Sequence, residues 1–128
     1  ESQRILLSYL GAHPSFYENI REILTEKDFP TSPYDQIAAL LLPQLQKGKL
    51  NLSGIISMFE AEEDQEKAAE LFYAPEPKET GEELQKLLLD CVINLRRNSL
   101  ETQIAGEQDI GKVLALRKEL DQLGKIRF

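Results

Sequence analysis

The side chains that most often carry chemistry are few here and poorly spaced for it. The chain holds one histidine, His13, and one cysteine, Cys91, whereas a zinc site needs several such ligands brought close together. His13 reads as a loop residue ahead of Pro14, and Cys91 as a small core residue on a helix face. A Ser-His-Asp relay through His13 would lack the strained nucleophile turn and Gly-rich oxyanion loop that such chemistry uses. Carboxylates crowd at Glu60, Glu62, Glu63, Asp64 and Glu66; a pair of them could do acid–base work, but a run of like charge reads as solvated surface. Gly48, Gly54, Gly81, Gly106 and Gly111 are dispersed, with none of the spacings that cradle phosphate. Arg96 and Arg97 could clamp a phosphate, yet adjacent arginines on an exposed helix read as a solvated edge. These residues assign no catalytic group, no metal and no cofactor, so the expectation is a non-enzyme.

Hydrophobic spacing is helical almost throughout, and the expected class is all-α. A first helix carries Ile5, Leu6, Leu7 and Leu10 and is expected to stop at Gly11. Pro14 opens a second, with Phe16, Tyr17, Ile20, Ile23 and Leu24 as its buried stripe, ended by Asp28-Phe29-Pro30. Thr31-Ser32-Pro33 reads as a cap and first-turn proline for a third helix, which runs through Ile37, Leu40, Leu41 and Leu45 to Gly48. Pro43 should bend or break it near Ala39 to Leu42, because proline lacks the amide hydrogen and clashes with the carbonyl four residues back. Asn51 or Ser53 can cap a fourth helix carrying Ile55, Ile56 and Phe59. Asp64 can cap a fifth carrying Ala68, Leu71 and Phe72, with the acidic stretch from Glu60 to Glu66 lying between them. Pro75 to Glu79 is the linker candidate, and Thr80-Gly-Glu-Glu83 matches a capping box opening a long sixth helix.

The sixth helix is the most informative element. On a wheel of about 100° per residue, Leu84, Leu88, Cys91 and Leu95 share one side, and Ile93, Leu100 and Ile104 share the opposite one. A straight helix whose apolar face reverses partway must pack against two bodies. We therefore expect a multi-helix bundle subdomain over residues 1–92 and a C-terminal two-helix hairpin over 93–128, with the sixth helix shared between them. A final helix, from about Gln108 to Leu123, folds back across Ala105-Gly106. Val113, Leu116, Leu120 and Leu123 have the spacing of a seam against Ile93, Leu100 and Ile104. Ile110, Leu114, Arg117 and Asp121 form a second stripe. A two-helix hairpin has too few neighbours to cover both, and an uncovered, partly apolar stripe holding a positive charge suits a docking surface.

Composition narrows the function classes. The 128 residues carry 15 basic and 22 acidic groups, net −7, a balance that repels nucleic-acid phosphates. Residues 1–91 hold 8 basic and 17 acidic side chains, net −9, whereas residues 92–128 hold 7 and 5, net +2. The longest apolar run, Ile37 to Leu42, is six residues, far short of the roughly 20 of a membrane span. A lone cysteine and no signal-peptide pattern point to a reducing, cytoplasmic setting. The start at Glu1, without Met, suggests a domain cut from a longer protein.

Three stretches together resemble a known family. They are Gln3 to Phe16 (QRILLSYLGAHPSF), the Asp28-Phe29 and Pro33-Tyr34 region leading into Ile37 to Leu42, and Leu88 to Ile104 (LLDCVINLRRNSLETQI). Over nearly the whole length the chain is similar to the C-terminal helicase-binding domain of bacterial replicative DNA primase, most specifically at Cys91-Val92, Leu95-Arg96, Leu100-Glu101 and Ile104. The first sixty residues also resemble the N-terminal collar domain of the replicative helicase; the reversed face and terminal hairpin favour the primase family. That resemblance implies a bacterial, cytoplasmic, non-catalytic domain, monomeric in isolation, whose hairpin docks on the N-terminal collar of the hexameric helicase and tethers primer synthesis to the fork. It implies zinc-binding and polymerase domains upstream in the full-length protein. Ile110 and Leu114 would then supply apolar contact, Arg117 and Asp121 pairing and register, and Arg96, Arg97 and Glu101 the flanks. Only Ala105 to Lys112 separate Ile104 from Val113, fewer than is common in that family, so the hairpin should be short, with Gly106 and Gly111 loosening it.

Overall fold

The computed structural model describes residues 1–128. It contains seven α-helices and no strand: α1 (Ser2–Ala12), α2 (Tyr17–Ile20), α3 (Tyr34–Lys47), α4 (Leu52–Ser57), α5 (Glu62–Phe72), α6 (Gly81–Gly106) and α7 (Ile110–Asp121). Single 3-10 turns occupy Pro14–Phe16, Glu26–Asp28 and Leu123–Lys125. The all-α bundle with a shared long helix and a terminal helix pair is as the periodicity predicts. No helix is long and apolar enough to cross a membrane.

The bundle is built around α1, which packs on α3, α5 and α6. Its Leu6, Leu7 and Leu10 are fully enclosed, and burying three leucines contributes about 1.5–3 kcal/mol each before the entropy of ordering them. Gly11 does not end this helix. It lies inside α1 and is buried, because a Cβ there would come within 2.9 Å of the Phe72 ring of α5. Its missing side chain serves close helix approach, and α1 ends one residue later, at Ala12, capped by His13, whose imidazole pairs with Glu76 and stacks on Tyr9. That pair fastens the Pro75–Glu79 connection to the corner of the bundle.

Other local expectations need correction. The second helix is far shorter than its apolar stripe: a 3-10 turn and one α-turn suffice to bury Phe16, Tyr17 and Ile20. The chain then leaves the helix so that Thr25, in extended conformation, can cap the Glu26–Asp28 turn. Thr31 does not cap α3 with its side chain; it exchanges hydrogen bonds with Gln3 of α1 instead. Nor does Pro43 break α3, which runs unbroken from Tyr34 to Lys47. Pro43 and Ala39 are both exposed, so the unpartnered Ala39 carbonyl faces water, while Ile37, Ala38, Leu41, Leu42 and Leu45 anchor both halves. Asn51, not Ser53, caps α4, its Oδ1 accepting from the Gly54 amide at 2.9 Å.

Asp64 lies in the first turn of α5 rather than at its cap. Three carboxylates in that turn favour the positive end of the helix dipole, so part of the acidic run is helix, not loop. The capping box at Thr80 does not form. Gly81 begins α6 at φ 56°, a left-handed turn that sets Thr80 off the geometry in which its hydroxyl meets the third amide of the helix.

The main core holds 22 buried residues, and none lies beyond Leu95. Leu88, Cys91, Val92 and Leu95 join α6 to it. Farther along, Leu100 is fully enclosed outside that cluster and Leu123 is buried with it at the hairpin. α6 thus gives Leu88, Cys91, Val92 and Leu95 to the main core and buries Leu100 outside it.

Gly11→Ala tests the α1–α5 contact. Alanine gains about 1 kcal/mol of helix propensity, but overpacking against a buried ring costs about 1–3 kcal/mol. A net loss of about 1 kcal/mol is expected in urea unfolding; a gain in stability would show that Phe72 yields freely.

Candidate partner-docking surface

The hairpin is placed by charge as much as by apolar packing. Going round α6, Arg96 sits between the bundle-facing and α7-facing stripes, where one hands over to the other. It is mostly enclosed, and its guanidinium donates from Nη1 to Asp28 Oδ1 at 3.3 Å and from Nη2 to Glu119 Oε1 at 2.7 Å. Asp28 belongs to the Glu26–Asp28 turn and is only 2% exposed. Its second oxygen, Oδ2, accepts from the Thr25 amide at 2.8 Å. Both oxygens of a buried carboxylate are thus engaged, the condition under which such a charge is tolerated. Burial works against the Arg96 charge, yet the Glu119 hydrogen bond and the charges of Asp28 and Glu119 outweigh it and raise its pKa. One side chain so joins the bundle, α6 and α7.

The end of the chain adds a second tie. After α7 the Leu123–Lys125 turn packs on α6 with Leu123 buried, and the Phe128 ring meets Phe16 edge-on at 5.2 Å. The base of the hairpin is therefore pinned to the bundle, while its tip around residues 105–109 is mostly exposed.

Within this frame the two stripes of α7 separate. Val113, Leu116 and Leu120 are half-buried, and Leu123 follows them into the small core. Ile110 and Leu114 are 76% and 63% exposed, two of the five large hydrophobic side chains that face solvent. Arg117 and Asp121 are exposed on the same stripe, and neither makes an ion pair or side-chain hydrogen bond within the chain. Asp109 caps the helix, accepting from the Lys112 amide at 3.2 Å, which fixes where the stripe begins. Glu101 is exposed and free, and Arg97 is exposed with one contact, to Asn94 Oδ1 at 3.2 Å.

The structure thus brings Ile110, Leu114, Arg117 and Asp121 onto one open face and leaves Arg97 and Glu101 exposed on α6. Arg96 is a different kind of residue from its neighbour: not a solvated edge, but the enclosed clamp that holds the face in place. Asp28 and Glu119 went unread as its partners, 68 and 23 residues away in sequence. The only local signal was Thr25-x-x-Asp28, a capping pattern that the structure realises.

Cys91 is buried, and burial pushes its thiol pKa up, against a smaller opposing hydrogen bond with Ser2. No group of three or more His, Cys, Asp or Glu side chains is placed to hold a metal ion. A groove of about 560 Å³ runs beside Arg96, between Glu22 and Ile23 on one side and Leu123 and Ile126 on the other. Its Arg96 and Glu119 are already bound to each other. No family model matches the chain, and no curated protein or solved structure is significantly similar to it.

Arg96→Ala should destabilise the fold by about 2–3 kcal/mol in urea unfolding, somewhat below the roughly 3–5 kcal/mol of a fully enclosed pair because the guanidinium retains some solvent. Adding Asp28→Asn should recover about half, since the stranded charge is then gone; an additive double variant would show that the two side chains are uncoupled. Iodoacetamide at pH 8 should leave Cys91 unmodified in the folded chain and label it only on unfolding. Because the folded thiol pKa is raised, its contribution to stability is complete below about 8.5, where an unfolded thiol ionises, and declines above it. That decline should be missing in Cys91→Ala.

Proposed function

We propose that this chain is a non-catalytic adaptor, the helicase-binding domain of a bacterial DNA primase, acting in the cytoplasm. The observation that carries the proposal is the bare α7 stripe. Ile110 and Leu114 stand in solvent beside unpaired Arg117 and Asp121, on a helix whose other apolar side is already used against α6. Such a stripe offers the spacing of a helix that lies on a partner's apolar groove, with a charge of each sign to set register. The sequence resemblance at Leu88 to Ile104 supports the N-terminal collar of the hexameric replicative helicase as that partner.

In this role the domain performs no bond chemistry. Apolar burial at Ile110 and Leu114 supplies affinity, and Arg117 and Asp121 penalise a misaligned partner by leaving a charge unpaired. The flanking Arg97 and Glu101 lie toward the rim, where charge affects the association rate more than the final affinity. Arg96 acts through its neighbours, by fixing the angle at which α7 is presented.

Titration of the labelled domain against the cognate helicase tests this. Leu114→Ala should weaken binding by about 1–3 kcal/mol, roughly 5- to 150-fold, and the pair Leu114→Ala with Arg117→Ala should weaken it further. Unchanged affinity in the pair, with the fold intact by circular dichroism, would remove α7 as the docking face. Light scattering on the isolated chain should give a monomer at every concentration; a closed ring would assign it to the helicase collar instead.

A further inference from the structure

A second open surface lies on the bundle, apart from α7. Between α3 and the α4–α5 corner runs a groove of about 530 Å³. Ala39 and Leu40 of α3 and Met58 and Phe59 of the corner supply its apolar lining. Phe59 is buried, but Met58 is 62% exposed, a large flexible thioether left in water where it could repack under an incoming side chain. The corner itself is fixed: the Gln65 side-chain amide donates to the Phe59 carbonyl at 2.6 Å. Glu60 and Asp64 line the same groove, and exposed Glu62 stands beside them. None of the three pairs with a cation, since the one salt bridge nearby joins Glu63 to Lys67.

We infer that this groove docks a basic amphipathic helix from another protein. Its surroundings select the occupant by charge. An acidic segment would add like charge beside Glu60 and Asp64 and a neutral one would offer no countercharge, whereas lysines or arginines beside an apolar anchor supply it. The net −9 of residues 1–91 draws the same partner from a distance. The mode of binding follows from the fold. There is no strand edge to extend, and a polyproline segment would need an exposed aromatic groove, where the only ring here is the buried Phe59. A helix with apolar anchors at i and i+4 remains. The inference stands on the groove alone and does not require the α7 reading.

The probe is a synthetic 18-residue helix with leucines at i, i+3, i+4 and i+7 and lysines elsewhere, titrated into the ¹⁵N-labelled full chain. Amide shifts are expected at residues 36–40 and 58–64. Met58→Ser with Glu60→Lys, both exposed positions that leave the fold intact, should weaken binding at least tenfold. Leu114→Ala with Arg117→Ala should leave it unchanged, so this result and the helicase titration fail independently. Equal binding of a peptide with glutamate in place of lysine would overturn the inference, as would shifts confined to α7 or affinity unaltered by the groove variants. Concentration-dependent self-association that the groove variants abolish would assign the groove to a second copy and overturn it too.

Discussion

A carboxylate taken out of water has to be met by a positive charge and by hydrogen bonds, and the placement of Asp28 makes that requirement an organising constraint. Its two oxygens accept from the Thr25 amide and from Arg96, so the turn that carries it cannot move without stranding the charge. Arg96 in turn reaches Glu119 on α7. The main core ends at Leu95, one residue before this clamp, and only Leu100 and Leu123 are deeply buried in the hairpin. Apolar packing alone would leave the last 33 residues attached by a continuous helix and a small second core. The ion-pair bridge and the Phe16–Phe128 contact convert that attachment into a defined orientation.

That rigidity gives the exposed stripe its meaning. Each apolar side chain left in water forgoes about 1.5–3 kcal/mol of burial, a large share of a domain's net stability. On α7 the exposure is periodic, limited to Ile110 and Leu114, and continued by Arg117 and Asp121 on the same face. Scattered surface hydrophobics would need no explanation; this stripe instead lies on a helix whose angle the part-enclosed Arg96 clamp fixes. Preorganisation of this kind lowers the entropy lost on docking, which is where a small interface gains most.

What was legible in the sequence follows from how far each interaction reaches. Helical period placed α6 and α7, the reversal of face at Leu95 to Leu100, and the division of α7 into a covered and a bare stripe, because those depend on spacing within one element. Local rules failed where a distant partner overrode them. Gly11 looked like a terminator and is a contact point for Phe72, 61 residues on. Pro43 looked like a break and sits on the solvent face of a helix anchored on its other side. Thr31 looked like a cap and is bound by Gln3. Arg96 is the same lesson at the candidate surface: beside Arg97 it looked like half of a solvated pair, and nothing within several turns of either residue distinguishes them. The distinction comes from Asp28 and Glu119, which the fold alone brings together.

The two open surfaces differ in the charge they present. The α7 stripe belongs to a segment of net +2 and carries one charge of each sign, whereas the α3–α5 groove lies in a body of net −9 and carries only acid. Arg117 and Asp121 balance on the stripe, whereas the charged groups of the groove are acidic alone, so the two surfaces favour different partner charges. Their relative orientation is set by α6 and the Arg96 clamp. From Arg96 to Gly106 the helix rises about 15 Å at 1.5 Å per residue, which carries the mostly exposed hairpin tip away from the clamp. If both surfaces engage one assembly, the second contact forms at the high effective concentration set by that rigid spacing. Modest contacts on each then act together, and the same clamp that stabilises the fold governs whether they can be reached at once.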